Sequence, residues 1–291
     1  MLAKLLQRFL AMQCLIGAAL GYAAWVQAPG WGLWVGAALT PLLVMALLTL
    51  VSCIQSRAAN EPAWMWWRSL LGEFVASVRI FFLRQPWARA QPSVLPATGS
   101  PAALPVILVH GYLCNHRIWD DMVRTLRAQG HAVIAVDLEP LFTSIDHYAP
   151  RIDAAVNALC LHSAVPQVAL EGHSMGGLAI RAWARQHGCT DVVSIVTLGT
   201  PHQGTQMVNW SPTTNAAQMV WHSTWLQTLQ ADETQATRQL MHIALTQHDN
   251  IVFPQREQVL AGAAVTEFKG LGHLELCLDP QVIQWLLQKL H

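Results

Sequence analysis

Between residues 9 and 56 the chain contains no Asp, Glu, Lys or Arg. About 20 apolar residues in a helix cross the hydrocarbon core of a bilayer, so this run has room for two crossings. Pro29-Gly30 interrupts it near the middle, and Trp25, Trp31 and Trp34 flank the break as interfacial anchors do. The expectation is a transmembrane helical hairpin over 10–26 and 32–54. A buried pair of core helices is a poor account of so long an uncharged run. A cleaved signal peptide would explain only its first half.

Charge then places the rest of the chain. Lys4 and Arg8 precede the first span, Arg57, Arg68, Arg79, Arg84 and Arg89 follow the second, and the connection between the spans is uncharged. By the positive-inside rule both ends face the cytoplasm, which makes this an integral membrane protein of a bacterial inner membrane with its remaining residues on the cytoplasmic side. Residues 63–83 are apolar and aromatic but carry Arg68, Glu73 and Arg79, which are costly inside a bilayer. They are read as an amphipathic helix in the headgroup region with Trp64, Trp66 and Trp67 at the boundary; the alternative, a third crossing, would put the remaining residues on the other side. Residues 1–84 thus form a membrane anchor. Residues 85–103, with Pro86, Pro92, Pro96 and Pro101, form a stiff linker.

The net charge of zero conceals an asymmetry. Up to residue 100 there are seven Lys or Arg against two Glu, and beyond it ten against fifteen acidic residues. Neither part is a nucleic-acid binder. The six cysteines are scattered without Cys-x-x-Cys spacing, so no metal is expected, and six reduced thiols suit a cytoplasmic domain.

From residue 104 the pattern changes. Largely apolar runs at 106–109, 132–136, 168–170, 192–198, 240–245 and 264–268 alternate with helical periodicity, and Asp279-Pro280 opens a last helix. Strands that are nearly all apolar, separated by helices, imply a mostly parallel sheet covered on both faces. Active sites in such sheets lie at the carboxyl ends of the strands.

The chemical residues fall there. Gly172-His173-Ser174-Met175-Gly176 follows the third strand; a serine at the tip of a strand-to-helix turn needs glycine on both sides, because any side chain there would collide with its neighbours. Asp249 follows the fifth strand and His273 the sixth. A serine hydroxyl becomes a nucleophile when a histidine takes its proton, and the imidazole needs a carboxylate to orient it.

With His110-Gly111-Tyr112 after the first strand and the 198–205 segment after the fourth, residues 104–291 resemble the α/β-hydrolase superfamily, and within it bacterial lipases and esterases. The resemblance implies Ser174 as nucleophile, His273 as general base and then acid, and Asp249 as its orienter. It also implies an oxyanion hole from the backbone N–H groups of Tyr112 and Met175, with Gly111, Gly172 and Gly176 as the glycines that make room. His110 is read as part of the oxyanion turn, while His173 and His248 adjoin the catalytic positions. Asp232 and Asp279 rival Asp249, although an N-cap role already accounts for Asp279.

Residues 205–236 lose the strand-helix rhythm and are rich in apolar and aromatic side chains. They sit where related enzymes keep a lid, with His202, Trp210, Trp221 and Trp225 as candidate substrate-pocket residues; packing over the sheet edge is the competing reading for the segment, and a loop-structuring role is the equal alternative for His202. The sequence thus points to a membrane-anchored serine hydrolase acting on lipid or other carboxylic esters, without cofactor. An acyltransferase or thioesterase with the same triad, and a non-enzymatic membrane adaptor, are the alternatives.

Overall fold

A computed structural model describes residues 1–25, 28–58, 61–90, 93–98, 103–163, 166–209 and 211–290. The chain opens with two antiparallel helices, α1 (Leu2–Ala24) and α2 (Pro29–Gln55), both long and apolar enough to cross a membrane. The first begins at Leu2 instead of residue 10, because Lys4 and Arg8 are good helix formers and extend it. The helices touch through glycine. A Cβ at Gly36 would overlap the carbonyl of Gly17, and one at Gly21 would overlap that of Gly32. Each helix carries two glycines four residues apart, which lets the two backbones approach closely. Leu15, Leu20, Leu43 and Leu47 point outward.

Next comes α3 (Ala63–Val78), continued by a wide π-type turn over Arg79–Arg84 and a 3-10 turn over Gln85–Trp87. Its two faces are opposite in character. Trp64, Trp67, Leu71 and Val75 are exposed, whereas Trp66, Ser69, Glu73 and Ala76 are buried. Of the three tryptophans expected at a membrane boundary, Trp66 is therefore inside the protein, its indole donating to the Cys53 carbonyl at 3.1 Å. The charges face the remainder of the chain. Arg68 pairs with Glu275, and Arg79 and Arg84 both reach Asp121.

A six-stranded sheet follows, made of β1 (Val106–Val109), β2 (Val133–Val136), β3 (Val168–His173), β4 (Val192–Leu198), β5 (Met241–Thr246) and β6 (Ala264–Phe268). The strand order is β2-β1-β3-β4-β5-β6, and every neighbouring pair is parallel. Alternate side chains feed two cores. Ile107, Val109, Leu170 and Ile195 pack under α5 (Ala149–Ser163) and α6 (Met175–His187), while Val106, Leu108, Ala169 and Val196 pack under α4 (Asp120–Ala128) and α10 (Pro280–Leu287).

The second core also takes Ala76 and Ile80 from the segment before residue 84. Within 85–103, the span read as a linker, Gln85 is fully buried and Leu95 bridges to Val133 with hydrogen bonds of 2.8 and 2.9 Å. Composition divides the chain into anchor, linker and hydrolase, but the inner face of α3 and the side chain of Leu95 bury apolar area by docking on the sheet layers. Residues 205–236 form short helices, α7 (Thr214–Gln218) and α8 (Thr224–Asp232), followed by α9 (Gln235–Gln239). Leu226 and Leu229 of α8 insert into the first core.

Candidate active site

β3 passes into α6 without a loop, and Ser174 at the junction has φ 55° and ψ −126°. A non-glycine residue held there costs about 1–3 kcal/mol, which the surroundings must offset. They do so by close approach. A Cβ at Gly172 would lie 2.5 Å from the Gly177 nitrogen, and one at Gly176 would overlap the Val109 carbonyl. The Ser174 N–H donates to the Leu198 carbonyl at 2.8 Å and ties the elbow to β4.

Asp249 lies in the loop after β5. Its Oδ1 accepts the N–H groups of Ile251 and Val252 at 2.9 and 2.7 Å, and Oδ2 lies 2.8 Å from Nδ1 of His273 after β6. Burial alone would lower the imidazole pKa, but the Asp249 carboxylate overrides it and holds His273 above its ordinary 6.5. Gly199, at φ 53°, gives the pair its space: a Cβ there would lie 3.0 Å from Asp249 Oδ2 and 3.1 Å from His273 Nδ1. Among the described residues, Ser174 Oγ and His273 Nε2 make no hydrogen bond within the protein.

The turn after β1 lies against this elbow. A Cβ at Gly111 would come within 2.8 Å of the Ser174 Cβ. Among the described residues the amides of Tyr112 and Met175 have no acceptor in the protein, and Met175 opens α6, where unpaired N–H groups and the helix dipole favour a negative charge. His110 braces the turn. Its Nδ1 lies 2.9 Å from the Gly111 carbonyl and its Nε2 accepts the Leu138 N–H at 3.0 Å, while burial keeps its pKa low. That leaves it a neutral strut with both nitrogens engaged.

The remaining candidates separate cleanly. Burial holds His173 well below 6.5; its ring lies 4.5 Å from that of His273, and its Nε2 is 3.2 Å from the His273 carbonyl. His248 accepts the Gly270 N–H at 3.3 Å. Asp279 caps α10, and Asp232 stands 3.5 Å from Arg185.

The pocket candidates behave differently. His202 is fully buried between the Thr197 hydroxyl at 3.0 Å and Arg181, so it holds its loop in shape. Trp225 donates to Asp146 at 2.8 Å and packs on the first core. Trp221 is half-buried and sits edge-on to His222, while Trp210 lies outside the described residues. The crevice beside Gly111 and Met175 is lined instead by Tyr112, Leu138, Leu141, Phe142 and Tyr148, with Asn215 from α7. An apolar segment reads alike whether it lines a pocket or fills a core, whereas the short β2 loop with Leu138, Leu141 and Phe142 gave no periodic signal.

Sequence reasoning also missed contacts to the catalytic loops from the helices before residue 84. Arg68 and Glu73 reach the His273 loop, and Ser52 and Ser56 reach the Asp249 loop. The available signal was the expense of charges in an aromatic helix, which predicts partners for them.

A parallel six-stranded sheet with a strained serine between β3 and α6 defines an α/β hydrolase. The chain belongs to that family: the family model for the alpha/beta hydrolase fold matches residues 105–259, more than half of its length. No curated protein matches the sequence. Among solved structures it is similar to Bacillus licheniformis lipase BlEst2 in mature form, at 16% identity and a TM-score of 0.60, over 69% of this chain and 99% of that one. It is also similar to Aspergillus fumigatus lipase B, at 16% identity and a TM-score of 0.52, over 66% of this chain and 54% of that one. At these identities the likeness is one of fold.

Proposed function

We propose that this protein is a membrane-anchored serine hydrolase that cleaves carboxylic esters of lipids through an acyl-enzyme. The observation that carries the reading is that Ser174, Asp249 and His273 follow the carboxyl ends of β3, β5 and β6 of one parallel sheet, with His273 and Asp249 2.8 Å apart. His273 takes the proton of Ser174 as the hydroxyl oxygen attacks the ester carbonyl. The tetrahedral oxyanion is held by the amides of Tyr112 and Met175, each worth roughly 3 kcal/mol in such a site. Collapse breaks the bond to the alcohol, which leaves with the proton from His273, and water repeats the sequence to release the acid.

Lipid substrates are favoured by placement. The loops of the triad adjoin the end of α2 and the inner face of α3, while Trp64, Trp67, Leu71 and Val75 point away from the hydrolase in an apolar stripe. A stripe of this kind suits the bilayer interface, on the side that the basic flanks assign to the cytoplasm. The active site then works close to the lipid surface, where tethering raises the concentration of membrane-borne substrate.

The test is a panel of esters from acetyl to long-chain acyl, assayed with the full chain in micelles and in vesicles. Rates that rise with chain length and with presentation in vesicles support the reading. Hydrolysis of short soluble esters alone would remove the lipid assignment. Transfer to added alcohols in preference to water would point to an acyltransferase.

A further inference from the structure

β6 is an edge strand with exposed residues, paired only to β5, so the sheet alone restrains the His273 loop weakly. The restraint comes from the other end of the sequence. Oε2 of Glu73, on α3, lies 2.8 Å from the N–H of Leu274 and 3.4 Å from that of Glu275. The two segments interlock through glycines. A Cβ at Gly272 would lie 2.5 Å from Glu73 Oε2, and a Cβ at Gly72 would overlap the carboxylate of Glu275, which Arg68 holds at 2.9 Å.

A second brace runs from α2 to the other catalytic loop. Asn250 donates to the Ser52 hydroxyl at 2.8 Å and accepts the His273 N–H at 3.3 Å. Gln255 donates to the Ser56 carbonyl at 2.7 Å and to that of Asp249 at 2.9 Å. Both groups that must meet Ser174 are thus tied to helices that precede the hydrolase fold.

We propose that Glu73 is a positioning residue for catalysis: by accepting the N–H groups of Leu274 and Glu275 it fixes the loop that carries His273, so the segment leaving the membrane is part of the active site. This rests on the serine-hydrolase reading. Burial pushes the Glu73 carboxyl up to about 8, against the opposing pull of His273, so near neutral pH its acceptor role does not require charge. A glutamine can fill that role, whereas alanine leaves buried N–H groups unsatisfied.

The experiment compares the full chain in micelles with its Glu73→Ala, Glu73→Gln and Ser52→Ala variants, reading kcat and KM on a chromogenic ester, fluorophosphonate labelling rate and melting temperature. Glu73→Ala is expected to lower kcat and labelling by about 10- to 100-fold with KM within about 3-fold, and Glu73→Gln to recover most of the loss. Ser52→Ala is expected to lower kcat by about 3- to 10-fold. Wild-type kcat in Glu73→Ala, or Glu73→Gln as poor as Glu73→Ala, overturns the proposal while the hydrolase reading stands. If Glu73→Ala does not fold, Ser52→Ala decides, and unchanged kcat there overturns it. A wild-type chain that neither turns over esters nor reacts with the probe removes the hydrolase reading and this proposal together.

Discussion

Nδ1 of His273 lies 2.8 Å from Oδ2 of Asp249, and both side chains are buried, while among the described residues Nε2 on the opposite edge of the imidazole makes no hydrogen bond to the protein. One nitrogen is committed to the carboxylate, and in the proposed mechanism the other takes the proton of Ser174.

That pairing sets a pH dependence. His273 acts as a base only when neutral, and its pKa is held above 6.5, so kcat/KM is expected to fall as pH drops through a value above 6.5. Asp249→Asn removes the carboxylate and leaves burial, which lowers the pKa. The acid limb should move below 6.5 and the plateau rate should drop by about 10⁴-fold. A pH-rate profile for both proteins checks this; an acid limb at the same pH in both would contradict it.

A side chain at Gly111 would meet Ser174 and the His173 backbone. A Cβ there would stand 2.8 Å from the Ser174 Cβ, so Gly111→Ala is expected to displace the oxyanion turn. The loss in kcat should be roughly 10²- to 10³-fold, with little change in melting temperature. Steady-state kinetics beside a thermal melt will show it, and wild-type kcat would mean that the turn does not serve the site.

Glu171 on β3 is fully buried with neither carboxylate oxygen hydrogen-bonded among the described residues, and burial pushes its pKa well above 4.5. Above pH 4.5 the unfolded chain loses this proton while the folded chain keeps it, so stability falls as pH rises until the folded value is reached. Glu171→Met removes that dependence and the unpaired oxygens, worth about 1–3 kcal/mol. Its melting temperature should exceed that of the wild type at pH 8 by more than at pH 5. An equal gap at both pH values would refute the assignment.

The hairpin can be tested at its glycines. Gly36→Leu should force α1 and α2 apart, because even a Cβ overlaps the Gly17 carbonyl, whereas among the described residues nothing lies within 4 Å of a Cβ at Gly30. Overpacking of this sort costs about 1–3 kcal/mol. Gly36→Leu should therefore lower the melting temperature in micelles and Gly30→Leu should not; equal melting of the two variants would place the helix contact elsewhere.

Much of this was legible in the sequence because it depends on short-range rules. Apolar runs locate β1 to β6 to within a few residues, and the glycines around Ser174 locate the elbow, since both follow from local sterics and burial. What the sequence hid is long-range. Glu73 and Leu274 are 201 residues apart, and no local pattern tells a charge that faces headgroups from one that faces a distant loop. Trp225 packs on the first core and His202 braces its own loop, the second of the two roles its sequence position allowed, because aromatic and apolar composition reports burial, not what is buried against it. The glycine pairs of α1 and α2 were present in the sequence as a four-residue spacing, masked by the uncharged run around them.

In the proposed mechanism Ser174 is a nucleophile activated by His273 and Asp249. Its most direct test is labelling of the full chain by a fluorophosphonate, followed by mass spectrometry of the modified peptide. Covalent modification of Ser174 in the wild type, lost in Ser174→Ala and strongly slowed in His273→Ala, is the expected result. A wild-type chain that stays unmodified at Ser174, or a His273→Ala variant labelled at the wild-type rate, would contradict it.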